Sequence, residues 1–127
     1  MLSAEDHIQN IEQMFLSTGG APTMESRIFV HPDDVEASLR VDLTYRTGHL
    51  LSAQLAIDTR HNRPVWTTYS FQFVDAQKAC VFRYDNYDHH RELSTAPHHK
   101  HVGPDEAVRE HFQPSIRHII NEIYGFV

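Results

Sequence analysis

Residues Val35 to Asp58 read VEASLRVDLTYRTGHLLSAQLAID, and their period is two. Val35, Ala37, Leu39, Val41, Leu43 and Tyr45 alternate with Glu36, Ser38, Arg40, Asp42 and Thr44. Side chains of a strand point to opposite faces in turn, so this run puts one face in a core and the other in water. Leu51, Ala53, Leu55 and Ile57 resume the alternation beyond Thr47-Gly48. Two such runs joined by a short glycine turn predict an antiparallel hairpin.

Working outward from this hairpin, Val65 to Val74 is rich in β-branched and aromatic residues and predicts a third strand, with Tyr69, Phe71 and Phe73 on one face. A fourth, Ala79 to Asn86, buries Cys80, Phe82 and Tyr84 and turns Val81, Arg83 and Asp85 the other way. Arg27 to Val30 is expected as a short additional edge strand. Upstream, Ile8, Ile11, Met14 and Phe15 fall at helical spacing, Ser3 and Asp6 form a capping pair, and Gly19 and Gly20 follow, which predicts a helix over residues 3–17. At the other end, Pro114 is placed as the first residue of a helix over about 114–124 carrying Ile116, Ile119, Ile120 and Ile123. Pro104 to His111 is expected to start a short helical turn. Together these give an α+β fold, one domain over residues 1–127. Its core is a four- to five-stranded antiparallel meander over about 35–86, with the N-terminal and C-terminal helices on one face.

Composition bounds the function. A chain of 127 residues, 40% hydrophobic and 22% charged, is a globular domain and excludes collagenous and fully disordered classes. Eleven Lys and Arg face 17 Asp and Glu, a net charge of −6 that argues against coating DNA or an anionic membrane through bulk positive charge. Cys80 is the single cysteine, so there is no internal disulfide and no C-x-x-C zinc pair. No run approaches the roughly 18 apolar residues of a membrane helix, and Glu5, Asp6 and Glu12 stand where a secretory signal needs basic and then apolar residues. A cytoplasmic location is the expectation.

Histidine is the outlier: there are eleven, and protonating all of them would turn the −6 into +5. Five of the eleven, His89, His90, His98, His99 and His101, lie within thirteen residues of the stretch Val81 to Val102, VFRYDNYDHHRELSTAPHHKHV. Arg83, Arg91 and Lys100 balance Asp85, Asp88 and Glu92 there, so the stretch is formally neutral in an acidic chain. Residues 87–103 hold almost no apolar side chain and are expected as a long histidine-rich loop of functional character.

Two chemistries suit these residue types. Cleavage of RNA by its own 2′-hydroxyl needs a base, an acid and a fixed cation at the phosphate. The first two come from a pair among His89, His90, His98, His99 and His101, and the cation from Arg83 or Lys100, with no metal required. Tyr84 or Tyr87 could stack a base. Alternatively, His99 and His101 would lie on one side of an extended segment and bind a divalent metal, completed by Asp85, Asp88 or His89. The metal reading would make the chain a metal-dependent phosphoryl- or nucleotidyl-transfer enzyme; the remaining possibility is a non-catalytic module that engages a protein or a metal through the loop, with a homodimer contact from the helices. Outside the stretch, Cys80 reads as a small buried hydrophobe, Trp66 and Phe71 as packing, and His111 and His118 as surface or cap residues.

The blocks FRYDN (Phe82 to Asn86), HH (His89, His90), Glu92 to Thr95, and PHHKHV (Pro97 to Val102) resemble those of TumE-type toxins of toxin–antitoxin systems. The resemblance runs from about Thr68 to the C-terminus, and differs from the usual pattern at Tyr87, Asp88 and Ala96. It implies a cytoplasmic single-domain protein with a cognate antitoxin, often a small DNA-binding protein, as partner. The positions it implies are Arg83, Tyr84, Asp85, Asn86, His89, His90, His98, His99, Lys100 and His101, with Tyr84, Asp85 and Asn86 expected on the substrate.

Overall fold

A computed structural model describes every residue except Met1, Asn62 and His89. The hairpin lies at its centre, as strands β3 (Glu36–Thr44) and β4 (Leu50–Asp58) pair antiparallel from Glu36↔Asp58 to Thr44↔Leu50. Gly48 makes their turn at φ +89°, a conformation that costs glycine little. Strands β5 (Val65–Val74) and β6 (Cys80–Asp85) extend the meander on one side. On the other side, β1 (Ala21–Pro22) and β2 (Arg27–Val30) both pair with β3, so the expected edge strand at 27–30 is present.

Among the described residues the sheet has eight strands, more than the four or five expected. Two of the additions lie in stretches read from the sequence as non-strand. β7 (His99–Val102) falls inside the expected loop and pairs antiparallel with β6. β8 (Ala107–Glu110) replaces the expected helical turn and pairs with β7 across a tight connection in which Gly103 has φ +79°. The physical reason for β7 is that its buried His99 and His101 find polar partners within the fold, which offsets the usual cost of leaving water, and β8, which is not buried, follows by pairing with β7.

The helices are α1 (Ala4–Leu16) and α2 (Ile116–Tyr124). Ser3 and Asp6 form the reciprocal capping box on α1, and α2 starts at Ile116 with Ser115 as its cap, its hydroxyl accepting from the His118 N–H, so Pro114 precedes the helix instead of opening it. Ile8 and Phe15 of α1 and Ile116, Ile119 and Ile123 of α2 are buried in one core with Leu39, Val41, Leu51, Leu55, Phe71, Phe73 and Phe82. Both helices therefore cover the odd-numbered face of β3 and β4 and the even-numbered face of β6. The opposite sheet face, with Ser38, Arg40, Gln54, Ser70, Arg83 and Asp85, carries no helix among the described residues. No helix among the described residues is long and apolar enough to cross a membrane.

Candidate functional site

The register between β6 and β7 sorts the motif residues onto two faces. Arg83 lies opposite His101 and Asp85 opposite His99, while Tyr84 lies opposite Lys100. Cross-strand partners share a face, so alternation sends Arg83, Asp85, His99 and His101 to the helix-free side and Tyr84 and Lys100 to the side of α2.

On the helix-free side the centre is Asp85, whose side chain is 1% exposed. Its Oδ2 accepts from Arg83 Nε at 3.1 Å and its Oδ1 from the Tyr87 backbone N–H at 3.0 Å. Arg83 then spreads: Nη1 reaches Glu106 at 3.2 Å and Nη2 reaches His101 Nε2 at 2.9 Å. A guanidinium only donates, so the His101 Nε2 lone pair accepts from it. His101 Nδ1 lies 3.2 Å from the Glu106 carbonyl oxygen, which only accepts, so Nδ1 carries the hydrogen. Burial holds the His101 pKa below its ordinary value, and the Arg83 guanidinium acts in the same direction.

His99 is fixed in the same way. Its Nδ1 lies 2.9 Å from the Pro97 carbonyl oxygen and must donate to it. Its Nε2 is 2.9 Å from Asp85 Oδ1 but off the direction needed for a hydrogen bond, so this short contact leaves a buried ring nitrogen without a hydrogen-bond partner. His90, on the segment joining β6 to β7, packs edge-on against both rings, with centroids 4.9 Å from His99 and 5.7 Å from His101. One nitrogen from each of His90, His99 and His101 falls within 4.8 Å of the others.

A cleft of about 260 Å³ on the same face approaches this cluster. It is lined by Arg27, Phe29, Arg40, Gln54, Ser70 and Tyr87. Ser70 pairs across the ladder with Asp85, and the Tyr87 N–H bonds to that carboxylate, so the cleft and the cluster adjoin. Phe29 and Tyr87 are exposed aromatics, at 64% and 44%.

On the α2 side, Glu122 accepts from the Tyr84 hydroxyl at 2.5 Å and from Lys100 Nζ at 2.7 Å. Lys100 lies 4.7 Å over the Tyr84 ring, and His118 Nε2 meets the Tyr84 hydroxyl at 3.2 Å. Burial, and then the Glu122 contact, push the Tyr84 pKa above its ordinary value. His111 packs edge-on against Tyr84 with centroids 4.9 Å apart. His118 is exposed and bonded to the cap Ser115 as expected of a surface or cap residue, and its ring, with that of His111, also belongs to a clamp between helix and sheet. The i, i+4 spacing of His118 and Glu122 is the sequence signal for it.

The expected site residues therefore divide. Arg83, Asp85, His90, His99 and His101 converge, whereas Tyr84 and Lys100 join the clamp. His98 bonds the Tyr69 hydroxyl through Nδ1 at 2.9 Å and stacks on that ring, and burial lowers its pKa. Asn86 ties β6 to β5, accepting from the Tyr69 N–H and donating to the Thr67 carbonyl. His89 lies outside the described residues. Cys80 is buried, which raises its thiol pKa and fits the packing role expected of it.

A family model described as Toxin TumE matches residues 22–127, reaching well upstream of the motif blocks. No curated protein and no solved structure matches the chain.

Proposed function

The chain belongs to the TumE toxin family, and from that premise we propose that it is the toxin of a toxin–antitoxin pair that cleaves RNA at the His90–His99–His101 cluster without a metal. A toxin family implies an antitoxin partner; a small DNA-binding protein that covers the cluster or its cleft is the partner proposed here. The cytoplasm, where RNA is the abundant target, is the proposed location.

In the reaction the 2′-oxygen attacks the adjacent phosphorus and the P–O5′ bond breaks. The 2′-hydroxyl proton passes to a base, and an acid gives a proton to the departing 5′-oxygen. The products are a 2′,3′-cyclic phosphate and a 5′-hydroxyl, so no protein nucleophile is needed. His90 and His101 are the proposed proton-exchanging pair: His90 is 27% exposed, and the His101 Nε2 lone pair, which Arg83 Nη2 holds at 2.9 Å, takes a proton once Arg83 turns to the phosphate. Arg83, 30% exposed, offsets charge at the phosphate. Asp85 and His99 are positioning residues, each 1% exposed. Arg27 and Arg40 supply cations along the cleft, and Phe29 and Tyr87 supply faces on which unpaired bases stack.

The observation that carries the reading is the register that sets Arg83 against His101 and Asp85 against His99 beside a cleft with exposed arginines and aromatics. The test is incubation of the purified protein with single-stranded RNA in excess EDTA. Cleavage leaving cyclic phosphate ends is expected, reduced at least about 100-fold in His90→Ala, in line with the usual worth of general acid–base catalysis. Unimpaired cleavage by His90→Ala would overturn the assignment.

A further inference from the structure

We propose that the same cluster binds one divalent cation of the zinc class through His90, His99 and His101, and that the bound ion shuts off the site. As a statement about regulation this rests on the RNA-cleaving reading; as a statement about binding it stands on the geometry alone.

The donor set fits the ion. Zinc takes imidazole nitrogens, and metal-ligating histidines characteristically donate the other ring N–H to a backbone carbonyl or carboxylate, which fixes tautomer and orientation. His99 and His101 do this through Pro97 and Glu106, which makes Nε2 the ligand atom of each. The His99 Nε2 is a buried nitrogen 2.9 Å from Asp85 Oδ1 with no well-directed hydrogen bond, a position that a cation can take in place of a proton. A cation there displaces any proton on Nε2, and the Asp85 carboxylate offsets part of its charge.

Two features set the binding energetics. Tetrahedral ligands at 2.0–2.1 Å from zinc are about 3.4 Å apart, whereas these nitrogens are spaced up to 4.8 Å. His99 and His101 are held in β7, so closure falls to His90 on the connecting segment. Arg83 must also release His101 Nε2, and Glu106, already 3.2 Å from its Nη1, is positioned to keep it. Once bound, the ion occupies the lone pairs of His90 and His101 that proton exchange requires, so ion binding and cleavage exclude each other.

The test uses the full chain, stripped with chelator and free of any affinity tag. Titration with zinc alone, followed by calorimetry, is expected to give one ion per chain, and cobalt is expected to give the visible bands of a tetrahedral nitrogen site. His90→Ala should weaken zinc binding at least about 10-fold, the scale set by disturbing a metal-supporting residue, and His111→Ala should not weaken it. Equal affinity in wild type and His90→Ala, or loss in His111→Ala, overturns the site; because His90 lies on a connecting segment, the melting curve of each variant confirms folding. RNA cleavage measured in parallel separates the two claims. Cleavage in EDTA that stops on adding one equivalent of zinc supports both, and cleavage that zinc leaves unchanged or accelerates overturns the regulation. Zinc binding by a chain that never cleaves RNA keeps the site and overturns the function.

Discussion

Tyr84→Phe separates the two faces of the motif. Tyr84 belongs to the same short block as Arg83 and Asp85, yet its hydroxyl donates to Glu122 on α2 and its ring lies under Lys100. Phenylalanine keeps the ring, the core contacts and the cation above it, and removes only the hydroxyl. A hydrogen bond to a charged group is worth about 1.5–3 kcal/mol. Glu122 retains Lys100 and is a quarter exposed, so water compensates in part, and about 2 kcal/mol is the expected loss. At about 2.1 cal/mol/K per residue, a 127-residue domain unfolds with an entropy of about 0.27 kcal/mol/K, so Tm should fall by about 7 °C. Scanning calorimetry measures this, and growth arrest on induction at a permissive temperature should be as strong as in wild type. A Tyr84→Phe protein with unchanged Tm that no longer arrests growth would refute the reasoning, because it would place the working chemistry under α2.

Three further outcomes follow from packing and geometry. Ile119→Ala empties a fully buried position between α2 and the sheet and should cost about 2–4 kcal/mol in chemical denaturation; a loss below about 1 kcal/mol would mean that α2 is not docked as described. Gly48→Ala meets both a positive φ and a Cβ placed 2.7 Å from Ala76, so a loss of about 1–3 kcal/mol is expected by the same measurement, and a neutral result would contradict the hairpin geometry. Arg83→Lys keeps a cation beside Asp85 but loses the fork that reaches His101 and Glu106 together. RNA cleavage rates should fall at least about 10-fold with Tm within a few degrees of wild type, and an unchanged rate would remove Arg83 from the phosphate.

The period-two runs made the meander legible because hydrophobic side chains alone pay the cost of its buried face. Helix α1 was legible through Ser3 and Asp6, whose capping box stands at the expected residues. β7 was not, since HKHV contains one apolar residue and its buried members are histidines. Their burial depends on the carbonyls of Pro97 and Glu106 and the carboxylate of Asp85, partners that exist only once the chain has folded. β8 is four residues long and leans on β7, so it shares that obscurity. Residue type and the family resemblance together gathered Arg83, Asp85, His90, His99 and His101 into one candidate set. Neither could separate them from Tyr84 and Lys100, because only the β6–β7 register assigns faces.

The central claim, that this chain is a toxin working through the helix-free histidine cluster, meets its most direct test in a growth assay under inducible expression. Wild type and His90→Ala are compared at equal soluble levels, with the neighbouring gene product supplied in a third culture. Growth arrest by wild type, relieved by the neighbour and absent in His90→Ala, is the predicted result. Arrest by His90→Ala as strong as that of wild type would contradict it.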